Sequence, residues 1–148
     1  MRHLIHLSDL HVGKTEAEWQ ALEKLLYHLV TLRANGIIVS GDLIDDPTDH
    51  ALARQVRFLF EHTGLPFCVV PGNHDVLNPG EPDVFEAEYG SAVRLDSLGG
   101  VNVLLFDSFD GLPVEERTSE DRQCFENTGC WGDGKVSAEQ FALFEQRF

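Results

Sequence analysis

A chain of 148 residues and 16.6 kDa with 43% apolar composition is large enough for one domain with a real core. Its formal net charge of -14 offers no basic footprint for a nucleic-acid backbone and repels anionic substrates unless bound cations invert the local field. No apolar run approaches the roughly 20 residues that cross a bilayer, and the N-terminus enters a strand carrying His3 and His6 without a signal-peptide pattern, so a cytoplasmic chain is expected.

The first apolar run, Leu4-Ile5-His6-Leu7, predicts a strand that leads into Ser8-Asp9-Leu10-His11. Thr15-Glu16-Ala17-Glu18 has the form of a capping box, and Leu22, Leu25, Leu26, Leu29 and Leu32 then recur at helical spacing until Asn35-Gly36, which reads as the stop. Ile37-Ile38-Val39-Ser40-Gly41-Asp42 is an apolar run closed by a glycine and a carboxylate, the pattern of a buried parallel strand. Asp45-Asp46-Pro47-Thr48 opens a second helix with Leu52, Val56, Leu59 and Phe60 on one face, ended by Gly64. A third strand, Phe67-Cys68-Val69-Val70, runs into Pro71-Gly72-Asn73-His74-Asp75. Strands alternating with helices at these lengths imply an α/β fold with parallel strands and right-handed crossovers, so Asp9, Asp42 and Asn73 should emerge on one edge. Ligands collect beyond that edge in open α/β sheets.

After Asn78-Pro79-Gly80 the pattern predicts a short helix near Val84 to Tyr89. A hairpin follows, with strands around Ala92 to Leu95 and Val101 to Phe106 and Gly99-Gly100 between them. Residues 107–134 lack periodicity and read as an acidic loop; residues 81–133 hold 13 acids against Arg94, Arg117 and Arg122, whereas residues 1–80 hold 10 acids against 6 bases. Ser137-Ala138-Glu139-Gln140 is expected to cap a last helix with Phe141, Phe144 and Phe148 on one face. Cys68 falls in a buried strand and Cys124 and Cys130 in the loop without metal-type spacing, so free thiols are expected. His3, His6, His28, His50 and His62 read as surface or internally satisfied histidines, and Trp19 and Trp131 as packing.

An Asp-x-His triplet alone means little, but Gly72-Asn73-His74-Asp75 is expected by chance in on the order of one chain in a thousand. The joint placement decides: hard oxygen donors and imidazoles stand at three neighbouring strand ends, 33 residues apart from Asp9 to Asp42 and 31 from Asp42 to Asn73. With Asp9-Leu10-His11, Gly41-Asp42-Leu43-Ile44-Asp45 and Gly72-Asn73-His74-Asp75, the chain resembles the calcineurin-like metallophosphoesterases, whose pattern is D-x-H, GDxxD and GNH followed by an acid. The resemblance implies a four-layer α/β/β/α sandwich and two divalent cations, Mn or Fe by preference with Zn as an alternative. It implies that Asp9 and His11 hold the first cation, Asp42 bridges both and Asn73 binds the second. It further implies a metal-bridging hydroxide as nucleophile and His74, oriented by Asp45, as the catalytic group at the leaving oxygen. The donor types agree with these metals. Asp46 stands where related phosphoprotein phosphatases have Arg, and Leu10 where a related DNA-repair exonuclease has Trp; the first block looks most like class III cyclic-nucleotide phosphodiesterases.

The family completes its site with a further His and a GHxH motif, and this chain has no histidine after His74. A single metallophosphoesterase domain over residues 1–148, incomplete at its C-terminus, is therefore expected. The expected substrate is a small phosphoester, with a cyclic nucleotide as one candidate, and neither nucleic acid nor membrane is expected as a partner. The Phe141, Phe144 and Phe148 face should lack cover and favour self-association. The rival to an enzyme is a non-catalytic binding or pairing module on the same fold, and a DNA-repair exonuclease-like phosphoesterase is the second alternative.

Overall fold

The computed structural model describes residues 2–13, 15–46, 48–72, 75, 84–107, 136 and 138–147. Strand and helix alternate as the sequence predicts: β1 (Leu4–Leu7), α1 (Glu16–Thr31), β2 (Gly36–Ser40), α2 (His50–His62) and β3 (Phe67–Val70). The three strands form one parallel sheet in the order β1-β2-β3, with Leu7 opposite Val39 and Ser40 opposite Val70, so their carboxyl ends share an edge. A short α3 (Val84–Tyr89) precedes an antiparallel hairpin of β4 (Arg94–Leu98) and β5 (Val101–Leu105), and α4 (Ala138–Arg147) is the last element.

Local chemistry accounts for most boundaries. Thr15 caps α1 in an extended conformation: its hydroxyl accepts from the Glu18 N–H at 3.3 Å while the Glu18 carboxylate accepts from the Thr15 N–H at 3.2 Å. Both halves of the capping box are present, which satisfies two of the backbone donors a helix start leaves unpaired. The same Glu18 oxygen accepts from the Gly13 N–H at 3.0 Å, tying the helix to the loop that leaves β1, and the Thr15 hydrogen bonds hold its carboxyl below the usual range. Asn35-Gly36 is not the stop of α1. The helix ends at Thr31, Arg33 takes the left-handed turn at φ 54°, and Gly36 already belongs to β2, while the Asn35 side chain accepts from the His3 N–H at 2.8 Å. In α2 the cap is Asp49, which accepts from the Leu52 N–H; Asp46 instead folds onto Thr48, and Gly64 closes the helix at φ 68°.

Alternation in β2 and β3 sends side chains to two different covers. Ile37, Val39 and Val69 face the helices and join Leu22, Leu26, Leu29, Val56 and Phe60 in the main core. Ile38, Cys68 and Val70 face the other way and pack with Leu98, Val103 and Leu105 of the hairpin. Helices, parallel sheet and hairpin therefore stack as successive layers, as the α/β/β/α expectation requires. Phe60 is fully buried, its ring centroid 5.3 Å from that of Phe67; truncating it to Ala would cost about 3–5 kcal/mol. The buried Glu88 fixes α3 to α2 by accepting from both Nε and Nη2 of Arg54, and the Tyr89 hydroxyl donates to the Ala53 carbonyl at 2.8 Å.

The hairpin turns at Gly99-Gly100, both at positive φ, as expected, although β4 starts at Arg94 and runs to Leu98. The predicted acidic loop lies, but for Asp107, outside the described residues, as do Cys124, Cys130, Trp131, Ser137 and Phe148. Gln140 is buried, and its amide brackets Asp107, accepting from the Asp107 N–H at 3.0 Å and donating to the Asp107 carbonyl at 2.9 Å. Phe106 and Phe144 have ring centroids 6.1 Å apart, so α4 attaches where β5 ends; Phe141, Leu143 and Phe144 remain exposed. Among the described residues no helix is long and apolar enough to cross a membrane.

Candidate metal centre

The backbones that leave β1 and β2 continue side by side past the sheet. The Asp9 N–H donates to the Gly41 carbonyl at 3.2 Å, His11 to Asp42 at 2.9 Å and Val12 to Leu43 at 3.0 Å. Val12, Leu43 and Ile44 are buried and anchor this two-stranded extension in the main core. The anchoring matters because Asp9, His11 and Asp42 all have left-handed backbones, with φ of 54°, 44° and 53°. Such conformations cost of order 1–3 kcal/mol each in non-glycine residues and persist where surrounding structure enforces them, most often at functional sites.

The consequence is convergence. One potential ligand atom from each of Asp9, His11 and Asp42 lies within 4.8 Å of the others, which brings three of the four sequence-predicted metal ligands together. Asp42 is 8% exposed, whereas Asp9 is exposed and His11 half-buried. Two carboxylates and an imidazole form a donor set suited to a divalent cation of the Mn, Fe or Zn type. Asn73 and His74 lie outside the described residues.

Neighbouring groups hold two members of the cluster. His11 Nδ1 is 3.0 Å from the Asp45 carboxylate, so among the described residues Asp45 serves His11; metal-ligating imidazoles ordinarily give their other ring N–H to such a carboxylate. The Ser8 hydroxyl donates to the Asp9 carboxylate and also lies 3.3 Å from the Ser40 carbonyl, and His6 Nε2 is 2.6 Å from the Ser40 hydroxyl across the strands.

The third strand end joins through backbone contact. A Cβ on Gly41 would lie 2.6 Å from Gly72 Cα, and one on Gly72 would lie 2.5 Å from Asp42 N, so both positions exclude a side chain. Asp75 is 5% exposed, and its carboxylate accepts from the N–H groups of Asp42 at 2.7 Å, Gly72 at 2.8 Å and Leu43 at 3.1 Å. Burial pushes the Asp75 carboxyl above its ordinary value, with the Asp42 charge adding to that push, while the hydrogen bonds from Gly72, Leu43 and Asp42 oppose it. Sequence reasoning gave Asp75 no role; the signal available was an acid directly after Asn73-His74 at a strand end.

Two aspartates and a histidine converging beyond the ends of parallel strands, with a second sheet behind, define an α/β protein with a candidate metal centre. The chain belongs to the calcineurin-like phosphoesterase family, whose model matches residues 2–139. It is similar to the DNA double-strand break repair protein Mre11 of Saccharolobus solfataricus, 32% identical over 87 residues, 51% of this chain and 23% of that protein. It is also similar to a protein of Fibrobacter succinogenes named as a probable cyclic nucleotide phosphodiesterase, 25% identical over 123 residues, 76% of this chain and 47% of that protein. The chain thus spans less than half the length of each of these curated relatives.

Proposed function

We propose that this chain acts as a metal-dependent phosphoester hydrolase on a phosphodiester or phosphomonoester. The observation that carries the reading is the Asp9, His11 and Asp42 cluster, built on three left-handed residues at the sheet edge of a calcineurin-like phosphoesterase. In this proposal Asp9 and His11 hold one divalent cation, Asn73 a second, and Asp42 both. Mn or Fe is preferred, with Zn as the alternative. When bound, the cations neutralise phosphoryl oxygens and make a water molecule nucleophilic near neutral pH. His74, in its protonated form, gives a proton to the leaving oxygen as the P–O bond breaks, with Asp45 as its expected orienting carboxylate. Asp45 also keeps the His11 ring turned toward the cluster, which their 3.0 Å separation supports.

Within this reading the substrate is a small phosphoester, and the similarity to the Fibrobacter protein favours a cyclic nucleotide. The similarity to Mre11 favours a DNA-directed phosphoesterase as the second reading; the net charge of -14 and Leu10 between Asp9 and His11 weigh against it. A binding or pairing module without turnover is the third. A cytoplasmic location belongs to the same proposal, and the free Cys68 thiol in β3 supports it. So does self-association of two copies through the exposed Phe141, Leu143 and Phe144, which light scattering would register as a dimer mass. To test the activity, the protein is stripped with chelator, reloaded with Mn, and assayed on a nitrophenyl phosphodiester, nitrophenyl phosphate, a cyclic nucleotide and a DNA duplex. Mn-dependent hydrolysis of a small ester supports the proposal, and DNA cleavage alone favours the second reading. Mn binding with no turnover on any substrate rejects the enzyme and leaves the binding module.

A further inference from the structure

We infer that Asp75 is a positioning residue for the metal centre: its buried carboxylate sets the backbone of Asp42 and thereby the direction in which the Asp42 side chain meets a cation. This rests on the metal-binding reading above. Asp75 Oδ2 accepts from Asp42 N and Gly72 N at 2.7 and 2.8 Å, and Oδ1 accepts from Leu43 N at 3.1 Å. One side chain thus clamps the turn after β2 to the turn after β3.

Packing alone does not explain such a group. A carboxylate that is 5% exposed, has no Lys or Arg bonded to it among the described residues, and stands close to the charge of Asp42 is a costly way to fill a core position. What it achieves is directional. Asp42 has φ 53°, and Gly41 before it φ 91°, so the peptide between them is held in a conformation that the chain would not otherwise choose. The Asp42 N–H is the donor of the shortest of these hydrogen bonds, and releasing it lets that peptide rotate and carry the side chain with it.

Asp75→Asn preserves volume but replaces one acceptor oxygen with an amide N–H₂ facing backbone donors. The test is Mn titration of chelator-stripped parent, Asp75→Asn and Val56→Ala, at a temperature where all three are folded. Val56→Ala is the control because Val56 is fully buried in the main core on α2 and is not among the cluster residues. Loss of a group that orients a ligand typically weakens metal affinity about 10–100-fold. The expected result is a drop of that size for Asp75→Asn and less than about a twofold change for Val56→Ala, whatever their melting temperatures. Amide hydrogen exchange of the metal-free proteins supplies a second readout: Asp42, Leu43 and Gly72 should be protected in the parent and exchange fast in Asp75→Asn. If Asp75→Asn does not fold, Asp75→Ser, with one acceptor oxygen, takes its place with the same expectation. Parent-like Mn affinity in a folded Asp75 variant overturns the inference and leaves the metal centre standing. A parent that binds no Mn overturns both.

Discussion

Adding one methyl group at Gly41 should cost this protein a large share of its stability even with no metal present. The Cβ of Gly41→Ala would lie 2.6 Å from Gly72 Cα and 2.7 Å from Gly72 N, where ordinary contacts begin near 3.4 Å. Because the atoms struck are backbone, no side chain can swing away, and one of the two turns must shift by most of an ångström. Overpacking of this kind typically costs about 1–3 kcal/mol. The residue also sits at φ 91°, and a non-glycine at such an angle adds about 1–3 kcal/mol. Together these give about 4 kcal/mol, against the roughly 5–15 kcal/mol that keeps a domain folded. At about 2–4 °C per kcal/mol for a chain of this size, melting should fall by roughly 8–16 °C. Urea denaturation in chelator should show the midpoint shifting with little change in slope. A loss below about 1 kcal/mol would refute the reasoning, since the two strand-end turns could not then be in backbone contact.

Other consequences are open to simpler checks. Asp45→Ala removes the carboxylate at His11 Nδ1 and should weaken Mn binding about 10–100-fold with little change in melting, read by calorimetry and by thermal denaturation of the same samples. Burial, reinforced by the charge of Asp96, pushes the Cys68 thiol up to about 11. In the folded protein Cys68 should therefore resist alkylation at pH 8 and react only when unfolding exposes it, as peptide mapping would record; rapid native labelling would contradict its burial. Because that folded value lies above the ordinary value of about 8.5, the Cys68 contribution to stability is fully present below the latter and is lost as pH rises toward the former. Melting of the parent should fall across that window more than melting of Cys68→Ala. Thr15→Ala, which removes half of the capping box on α1, should cost about 1 kcal/mol in urea denaturation.

The alternation of strands and helices was legible because each element carries its own punctuation. Gly41, Gly64 and Gly99-Gly100 fall where the backbone needs positive φ, and Thr15 and Glu18 mark a helix start whose hydrogen bonds are local. The convergence of Asp9, His11 and Asp42 followed from the same logic, since parallel strands in register bring their ends to one edge. What stayed hidden is what depends on partners far along the chain. Asp75 acts on the backbone donors of Asp42 and Leu43, more than 30 residues away, and Gln140 brackets Asp107, 33 residues before it. The end of α1 was misread for a different reason: Asn35-Gly36 is a standard stop signal, but Asn35 is taken by the His3 N–H and Gly36 by strand pairing with Leu4, so Arg33 makes the turn. Asp45 is the instructive case at the site, because its position in the Gly41 to Asp45 block marked it as functional while the partner it meets among the described residues is His11.

Calorimetric titration of Mn into chelator-stripped parent, Asp9→Asn and Asp42→Asn tests the central claim most directly. Asp42 is the most buried member of the cluster, and in the proposed function it holds both cations, so its loss would remove a ligand from each. The parent should bind Mn, Asp9→Asn should bind more weakly, and Asp42→Asn should lose more than the about 10–100-fold that follows from disturbing an outer partner. Equal Mn affinity in the parent and in a folded Asp42→Asn would contradict the account, because the cluster at the sheet edge would then not be where the metal is held.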